Sequence, residues 1–353
     1  MNRLRVLAFF SIIMFLMACN SSSDPIDENP NNGNNDGNTS EWLIPISEVR
    51  DGGPGRDGIP SLDNPIFISS TSVSYLDDDD LVIGIVNNGE VKVYPHLILD
   101  WHEVVNDEIG GEAFVISYCP LTGTAFGWKN QNSTFGVSGL LYNANLILYD
   151  RVTNSNWSQL SLQCVNGELI GSVPETISVI ETNWRIMKKL YPNISVLSLN
   201  TGFSRSYGVY PYGDYRTNND SFIFPVNVLN SALPNKERVF VVIDDGISKV
   251  FRFSDFNSGV TIKNTFNGKT FLIIGNGEVF NAFELNGSLL SLTYEYMFDG
   301  RSESFFKDNE GNEWNISGKS ISGPRTGQTM IPAKSVVSYW FAIAAFYPNP
   351  EFF

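Results

Sequence analysis

The sequence predicts an α+β fold that is mainly β, with many short strands and hairpins and a few helices. Three observations lead there. Asn or Asp next to Gly recurs along the chain, at Asn88-Gly89, Asp245-Gly246, Asn267-Gly268, Asn276-Gly277 and Asn286-Gly287, and such pairs tolerate the positive φ that tight hairpins require. The runs between them are short and rich in β-branched and aromatic residues, as in Leu81 to Val86, Ala113 to Tyr118 and Val239 to Ile243, which suits strands. Helical periodicity is confined to a few places. At 353 residues, with 42% hydrophobic and 13% aromatic residues, the chain has enough apolar surface to bury a large core.

The amino terminus, MNRLRVLAFFSIIMFLMAC, places two arginines before an apolar run from Val6 to Ala18. That run is shorter than the roughly twenty residues a membrane helix needs, and it fits the apolar region of a secretory signal. Leu16-Met17-Ala18-Cys19 resembles a bacterial lipobox, so residues 1–18 are expected to be a signal peptide and Cys19 the lipidated first residue. Residues 20–40 hold one isoleucine among polar, acidic, Gly and Pro residues and cannot bury enough apolar area to fold, which makes them a tether. The expected setting is the bacterial cell envelope, as an outer-membrane lipoprotein facing the periplasm or the cell surface, with the membrane as partner through the lipid anchor. The formal charge of −15 becomes about −17 once Arg3 and Arg5 are removed, which argues against nucleic acid as a partner because phosphate binding needs clustered Lys and Arg.

The folded part is expected to occupy residues 41–353. Asp77 to Asp80 read as a solvated turn, since they lack the Asp-x-Asp-x-Asp-Gly spacing of a calcium loop. Leu81 to Val86 and Glu90 to Tyr94 form a hairpin across Asn87-Asn88-Gly89. Pro95 stops that strand and opens a short helix on which Leu97, Ile98, Trp101, Val104 and Val105 recur at helical spacing, closed by Asn106-Asp107. Gly110-Gly111 leads into the strand Ala113 to Tyr118, which delivers Cys119-Pro120. Phe126 to Trp128, Thr134 to Leu141 and Leu146 to Tyr149 are further strands, with a turn at Asn143-Ala144-Asn145, and Thr153 to Gln159 form a polar loop carrying Trp157. After Gly171 a second strand-rich lobe is possible. It would hold a helix at Thr182 to Leu190, strands at Val239 to Ile243, Phe271 to Ile274 and Leu289 to Tyr294, and a terminal helix at Ser335 to Phe346. The last, at about a dozen residues, is a core helix rather than a membrane span.

Tyr94 to Trp128 holds both histidines of the chain, His96 and His102, together with Cys119, and two chemistries fit. One is a metal site of His96, His102 and Cys119, with Asp100 or Glu103 as oxygen ligands, suited to zinc or copper. A six-residue step leaves the two imidazoles some 120° apart on a helix, so they converge only if His96 precedes the helix proper, and His102 is expected to matter more. The other chemistry is a nucleophilic thiol, with Cys119 activated by His102 and Glu103, Asp150 or Asn106 orienting the imidazole. A third arrangement, a disulfide between Cys119 and Cys164, would stabilise the fold by roughly 4 kcal/mol in the chain-entropy account and leave no resting nucleophile. Asp150, Arg151, Trp157 and Gln159 are candidates to line a pocket for a small polar ligand, or else form an ion-paired arginine beside a buried indole. Exposed aromatics would also suit a glycan. No GxGxxG or P-loop pattern stands before a helix, and the chain has no GxSxG or HExxH pattern, which argues against the commonest nucleotide, serine hydrolase and zinc protease designs.

WHEVVND (Trp101 to Asp107), YCPLTGTA (Tyr118 to Ala125), GVSGLLYNANLILYDR (Gly136 to Arg151) and WSQ (Trp157 to Gln159) stand in this order. Together they resemble the secreted prokaryotic family catalogued as domain of unknown function 3179. The carboxy-terminal YWFAIAAFYP (Tyr339 to Pro348) resembles the family's aromatic-rich end, so the resemblance spans most of Glu41 to Phe353. It implies no established activity. Members often carry a second cysteine where Thr122 stands, which implies that a dithiol redox pair is missing here. Cys119 lies inside the motif and Cys164 outside it, which favours a site thiol over a disulfide. The expected function is an uncharacterised extracytoplasmic lipoprotein with a metal-binding or redox-linked site on Cys119, His102 and His96. A thiol hydrolase or transferase and a non-catalytic surface ligand-binding lipoprotein are the alternatives.

Overall fold

Tight hairpins generate most of the architecture. In the computed structural model, which describes residues 41–130 and 132–353, Leu81–Asn87 pairs antiparallel with Glu90–Pro95, and the turn between them sets Asn88 at φ 50° and Gly89 at φ 87°. Asn and Gly are there because a residue with a bulkier Cβ is strained at those angles. The expected signal peptide, the Cys19 lipidation site and the tether lie outside the described residues. The described residues are mostly β, with three α-helices and many short strands.

Six sheets form. The first orders Val49–Asp51, Phe135–Tyr142, Asn145–Asp150, Asn156–Ser158 and Gln163–Asn166. The second orders Thr176–Ile177, Thr124–Lys129, Glu112–Cys119 and Val104–Ile109, and the third orders Ile180–Asn183, Leu81–Asn87, Glu90–Pro95, Ser195–Leu197 and Phe67–Ser69. The fourth is built on Ser335–Tyr339, Arg238–Asp244, Ile247–Arg252 and Glu351–Phe352, and the fifth on Val260–Phe266, Lys269–Asn276, Val279–Leu285 and Ile331–Pro332. A small sixth sheet runs from Tyr294–Tyr296 to Ser320–Ser322. Four apolar clusters join these layers in a cycle. Ile83, Ile116 and Leu99 join the third sheet to the second; Val82, Leu272 and Trp314 join the third to the fifth and sixth; Phe240 and Ile273 join the fourth to the fifth; Val115, Leu148, Val241 and Phe341 join the first, second and fourth. Residues from both sides of Gly171 therefore share cores.

The helices are α1 (His96–His102), α2 (Trp184–Leu190) and α3 (Trp340–Phe346). Each is shorter than or shifted from its expected span. α1 stops at His102 because Glu103 turns to φ 58°, and Val104 and Val105, expected on the helix, instead pair with Ser117 and Ile116. The β-branched pair satisfies either pattern locally, and the cross-strand partner decides it. Ser335–Tyr339, expected as helix, is a strand against Arg238–Asp244, and only Trp340 onward is α3. Trp340, Phe341, Ala342 and Ile343 have no exposed surface. Burial of an indole such as Trp340 removes on the order of 200 Å² from water, a gross gain of about 5 kcal/mol, which holds α3 inside the fold. No helix among the described residues is long and apolar enough to cross a membrane. Thr182 is strand, and α2 begins after Asn183, whose side chain accepts from the Ile186 amide at 2.9 Å, an N-cap. The Asp77–Asp80 turn ties to α2, with Lys188 on Asp78 at 2.8 Å. Leu289 to Tyr294 is not one strand: a 3-10 turn, Gly287–Ser291, precedes the strand at Tyr294. Asn156–Ser158, expected in a polar loop, is a strand of the first sheet.

Candidate functional site

His102, expected to serve Cys119 or a metal, is a buried clamp. Its Nδ1 lies 2.8 Å from the Pro60 carbonyl, which can only accept, so Nδ1 carries the proton. Nε2 then accepts from the Tyr207 hydroxyl at 2.6 Å, and Tyr207 is hydrogen-bonded in turn to Thr201. Burial pushes His102 below the ordinary histidine range despite the Pro60 bond, so the ring is neutral and both nitrogens are engaged. His96 is the first residue of α1 rather than a residue before it, and its imidazole therefore leaves the helix on another face. Among the described residues no group of three His, Cys, Asp or Glu side chains is placed to share a metal. The zinc or copper set of His96, His102 and Cys119 is thus not brought together.

Cys119 ends the strand Glu112–Cys119, where the chain turns through Pro120 to Gly123. Gly123 sits at φ 59°, and a Cβ there would lie 3.1 Å from the Tyr339 ring, so glycine is required both by conformation and by the aromatic packed on the turn. The Cys119 thiol donates to the Ala144 carbonyl at 3.7 Å. Burial, with Glu103 adding to it, pushes the thiol up to about 11, so it is protonated near neutral pH and not a ready nucleophile. Cys164 is also a free, buried thiol. Behind Cys119 runs a closed polar network: Asn145 donates to Thr122 at 2.9 Å and Gln159 at 2.8 Å, and Gln159 donates to Ser117 and to the Thr124 carbonyl.

The other expected ligand-binding residues are used inside the scaffold as well. Asp150 accepts from the Thr153 and Ser155 amides, the Thr153 hydroxyl and the Trp157 indole. Arg151 holds Asp63 through two contacts of 3.0 Å and Ser61 at 2.8 Å. The polar groups of Asp150, Arg151, Trp157 and Gln159 are thus committed to neighbours within the scaffold.

The groups that are not spent cluster elsewhere. Ten buried side-chain polar atoms of the described residues lack a hydrogen-bond partner, and five of them are His96 Nε2, Asp100 Oδ1, Glu181 Oε2, Tyr215 OH and Lys236 Nζ. His96 stacks at 4.3 Å on Tyr118 and lies 3.5 Å from Glu181, too poorly aligned for a hydrogen bond. Glu181 accepts from Arg238 at 2.5 Å. Asp100, on α1, acts electrostatically on Tyr118, Tyr210, Tyr212 and Tyr339. Burial lifts Asp100 to about 7 against the pull of Arg216, lifts Glu181, and drives His96 well below its usual range, with Arg238 and Arg216 pressing further. Every one of these shifts favours the neutral form, and desolvation leads in each.

Packed against α1 and the Cys119-Pro120 turn is the segment 198–237, which has no strand or helix. Long irregular segments inside a compact fold commonly carry function. It is pinned by Trp101 donating to the Val209 carbonyl at 3.1 Å, Tyr210 donating to the Pro120 carbonyl at 3.1 Å, and Tyr207 on His102. The guanidinium of Arg216 lies 4.6 Å over the Tyr210 ring at the exposed edge. Lys236 has no acid partner; its ammonium sits 3.2 Å from the Tyr215 ring centre, and Phe222, Phe341 and Tyr339 complete an aromatic surround. Sequence reasoning reached His96, Asp100 and Glu103, but not Glu181, Arg216, Lys236, Arg238 or Tyr339. One signal was available for the segment 198–237: Tyr207, Tyr210, Tyr212 and Tyr215 crowd a Gly-rich stretch that has no strand alternation.

The family described as protein of unknown function, DUF3179, matches residues 56–350. No curated protein and no solved structure matches the chain.

Proposed function

We propose, from the premise that this chain belongs to the DUF3179 family of proteins of unknown function, that it is an envelope lipoprotein tethered through Cys19 that binds a small carboxylate in the cleft under residues 198–237. One observation carries this: His96 Nε2, Asp100 Oδ1 and Glu181 Oε2 are buried without partners, with His96 3.5 Å from Glu181 and with Asp100 and Glu181 both acting on Tyr118 and Tyr339. Each such group costs about 1–3 kcal/mol when left unsatisfied, and a fold keeps several together where a ligand completes them. The sign of the cleft favours an anion. Asp100 carries its proton below about 7 and can then donate to a carboxylate, Arg216 stands at the edge, and the Glu181 charge is countered by Arg238.

The reading rests on no thiol chemistry, because Cys119 faces a carbonyl and no imidazole. The metal-binding, redox and thiol-transferase readings have no comparable support in the geometry.

Titration calorimetry with propionate, propionamide and propylamine tests the proposal. Propionate is expected to bind at pH 6 and to weaken by about tenfold by pH 8.5 as Asp100 ionises. Arg216→Ala should weaken it about tenfold, and Asp100→Asn should flatten the pH dependence. Propylamine binding as well as propionate, or propionate binding indifferent to Arg216, overturns the reading. Mass spectrometry of the mature chain checks the tether: a diacylated Cys19 is expected at the amino terminus, and an unmodified terminus elsewhere rejects it.

A further inference from the structure

We infer that a pocket at the carboxy-terminal end of α1, separate from the cleft, is a binding site for a small primary amine bearing a compact apolar group, with Glu103 as its counter-ion. This goes beyond the carboxylate reading and does not depend on it. The pocket has a volume of about 270 Å³ and is walled by Ile59, Leu121, Val137, Leu141, Leu146 and Phe224. An apolar cavity of about 150 Å³ holds benzene, so this one has room for a ring and a short aminoalkyl arm.

Glu103 is the only ionisable carboxyl on that wall, and no Lys, Arg or His lines it. The residue is 6% exposed, and its carboxyl has a single side-chain contact, the Tyr212 hydroxyl at 3.5 Å, which is the outer limit of a hydrogen bond. Its backbone sits at φ 58° and ψ −31°, a positive-φ conformation that favours glycine over a residue with a Cβ. A glutamate held in that conformation costs on the order of 1 kcal/mol or more, and what is gained is a carboxyl directed into an apolar pocket. The ionisable groups that act on it are Asp100 on α1 and Tyr212 from the segment 198–237, and Glu103 in turn acts on Cys119 at the strand end.

An incoming ammonium is the ligand chemistry this arrangement completes. The acid is held protonated by burial, near 8, so a neutral amine takes the proton from the Glu103 carboxyl, leaving carboxylate and alkylammonium as a hydrogen-bonded ion pair. Atoms and charge balance without a further reactant. An anion would meet no cation here, and an alcohol would bring one donor where an ammonium brings three.

Benzylamine, benzyl alcohol and benzoate, titrated by calorimetry against the full chain at pH 7, form the test. Benzylamine is expected to bind at one site, at least tenfold more tightly than benzyl alcohol, with benzoate silent. Glu103→Gln should cost benzylamine at least tenfold and leave benzyl alcohol unchanged, whereas Val137→Phe should fill the pocket and weaken both. Arg216→Ala should leave benzylamine unaffected, which separates this site from the carboxylate cleft. Equal binding of amine and alcohol, or benzylamine indifferent to both Glu103→Gln and Val137→Phe, overturns the inference. Should Glu103→Gln not fold, the ranking of the three probes on the natural chain and the effect of Val137→Phe decide it.

Discussion

Asp150 and Asp100 are both buried, at 1% and 6% exposure, yet their surroundings differ completely. Asp150 sits in a turn that aims two amides, a hydroxyl and an indole at its oxygens, and these bonds hold its carboxyl below the usual range against the cost of burial. Asp100 lies on α1 with one oxygen lacking any partner, and burial lifts it to about 7. Charge in a protein interior is stable where the local backbone supplies donors and is a functional reserve where it does not. The same distinction separates the turn around Trp157, whose acid is satisfied by its neighbours, from the buried groups under residues 198–237, which are not.

The most severe test is Asp150→Ala, which strands the Thr153, Ser155 and Trp157 donors inside the fold. A loss of about 3–5 kcal/mol is expected in urea unfolding, against less than half of that for Asp100→Ala. A reversed ranking breaks the comparison.

Next comes His102→Ala. It removes the link between Pro60 and Tyr207 and empties a site with no exposed surface, for an expected loss of about 2–3 kcal/mol. Alkylation of Cys119 in the folded protein is expected to be slow at neutral pH in the natural chain and to stay slow in the variant. A marked change in that rate would restore a link between the imidazole and the thiol.

The smallest effect is the most informative about the cleft. Asp100 and Glu103 bind a proton more tightly in the folded state, near 7 and near 8, than in the unfolded chain, near 4. Between pH 4 and 8 the folded state therefore holds more protons, and stability falls as pH rises through that window. Asp100→Asn should remove its share, raising stability by about 2 kcal/mol at about pH 5.5 and by almost nothing at about pH 3. Lys236, depressed to about 7 by burial, works in the opposite sense. Its unfolded form holds the extra proton between pH 7 and 10, so its contribution improves across that later range. A stability curve for Asp100→Asn that runs parallel to the natural one would show that the carboxyl is already satisfied.

Elements whose cause is local were legible in the residues. Asn88-Gly89 and Gly110-Gly111 specify their hairpins within a few positions, since positive φ needs only the right residue at the turn. Tyr94 to Trp128 was also recognisable as the stretch to watch, and it contributes His96, Asp100 and Glu103 to the two sites proposed. The choice among those groups was not legible. His102 and Cys119 look like partners along the chain, but Tyr207 and Pro60 reach the imidazole first.

By itself, then, the sequence determined the mainly β class and the family resemblance. Tertiary structure alone decided that Val104-Val105 and Ser335–Tyr339 are strands, because an isolated β-branched or apolar run satisfies helix and sheet alike until Ser117 or Arg238–Asp244 lies beside it. It alone decided which acids are scaffold and which are reserve. A carboxyl's state depends on the donors and the water around it, and for Asp100 and Glu181 those surroundings are supplied by Arg216, Arg238 and Tyr339, brought in from distant parts of the chain by sheets that close into one cycle.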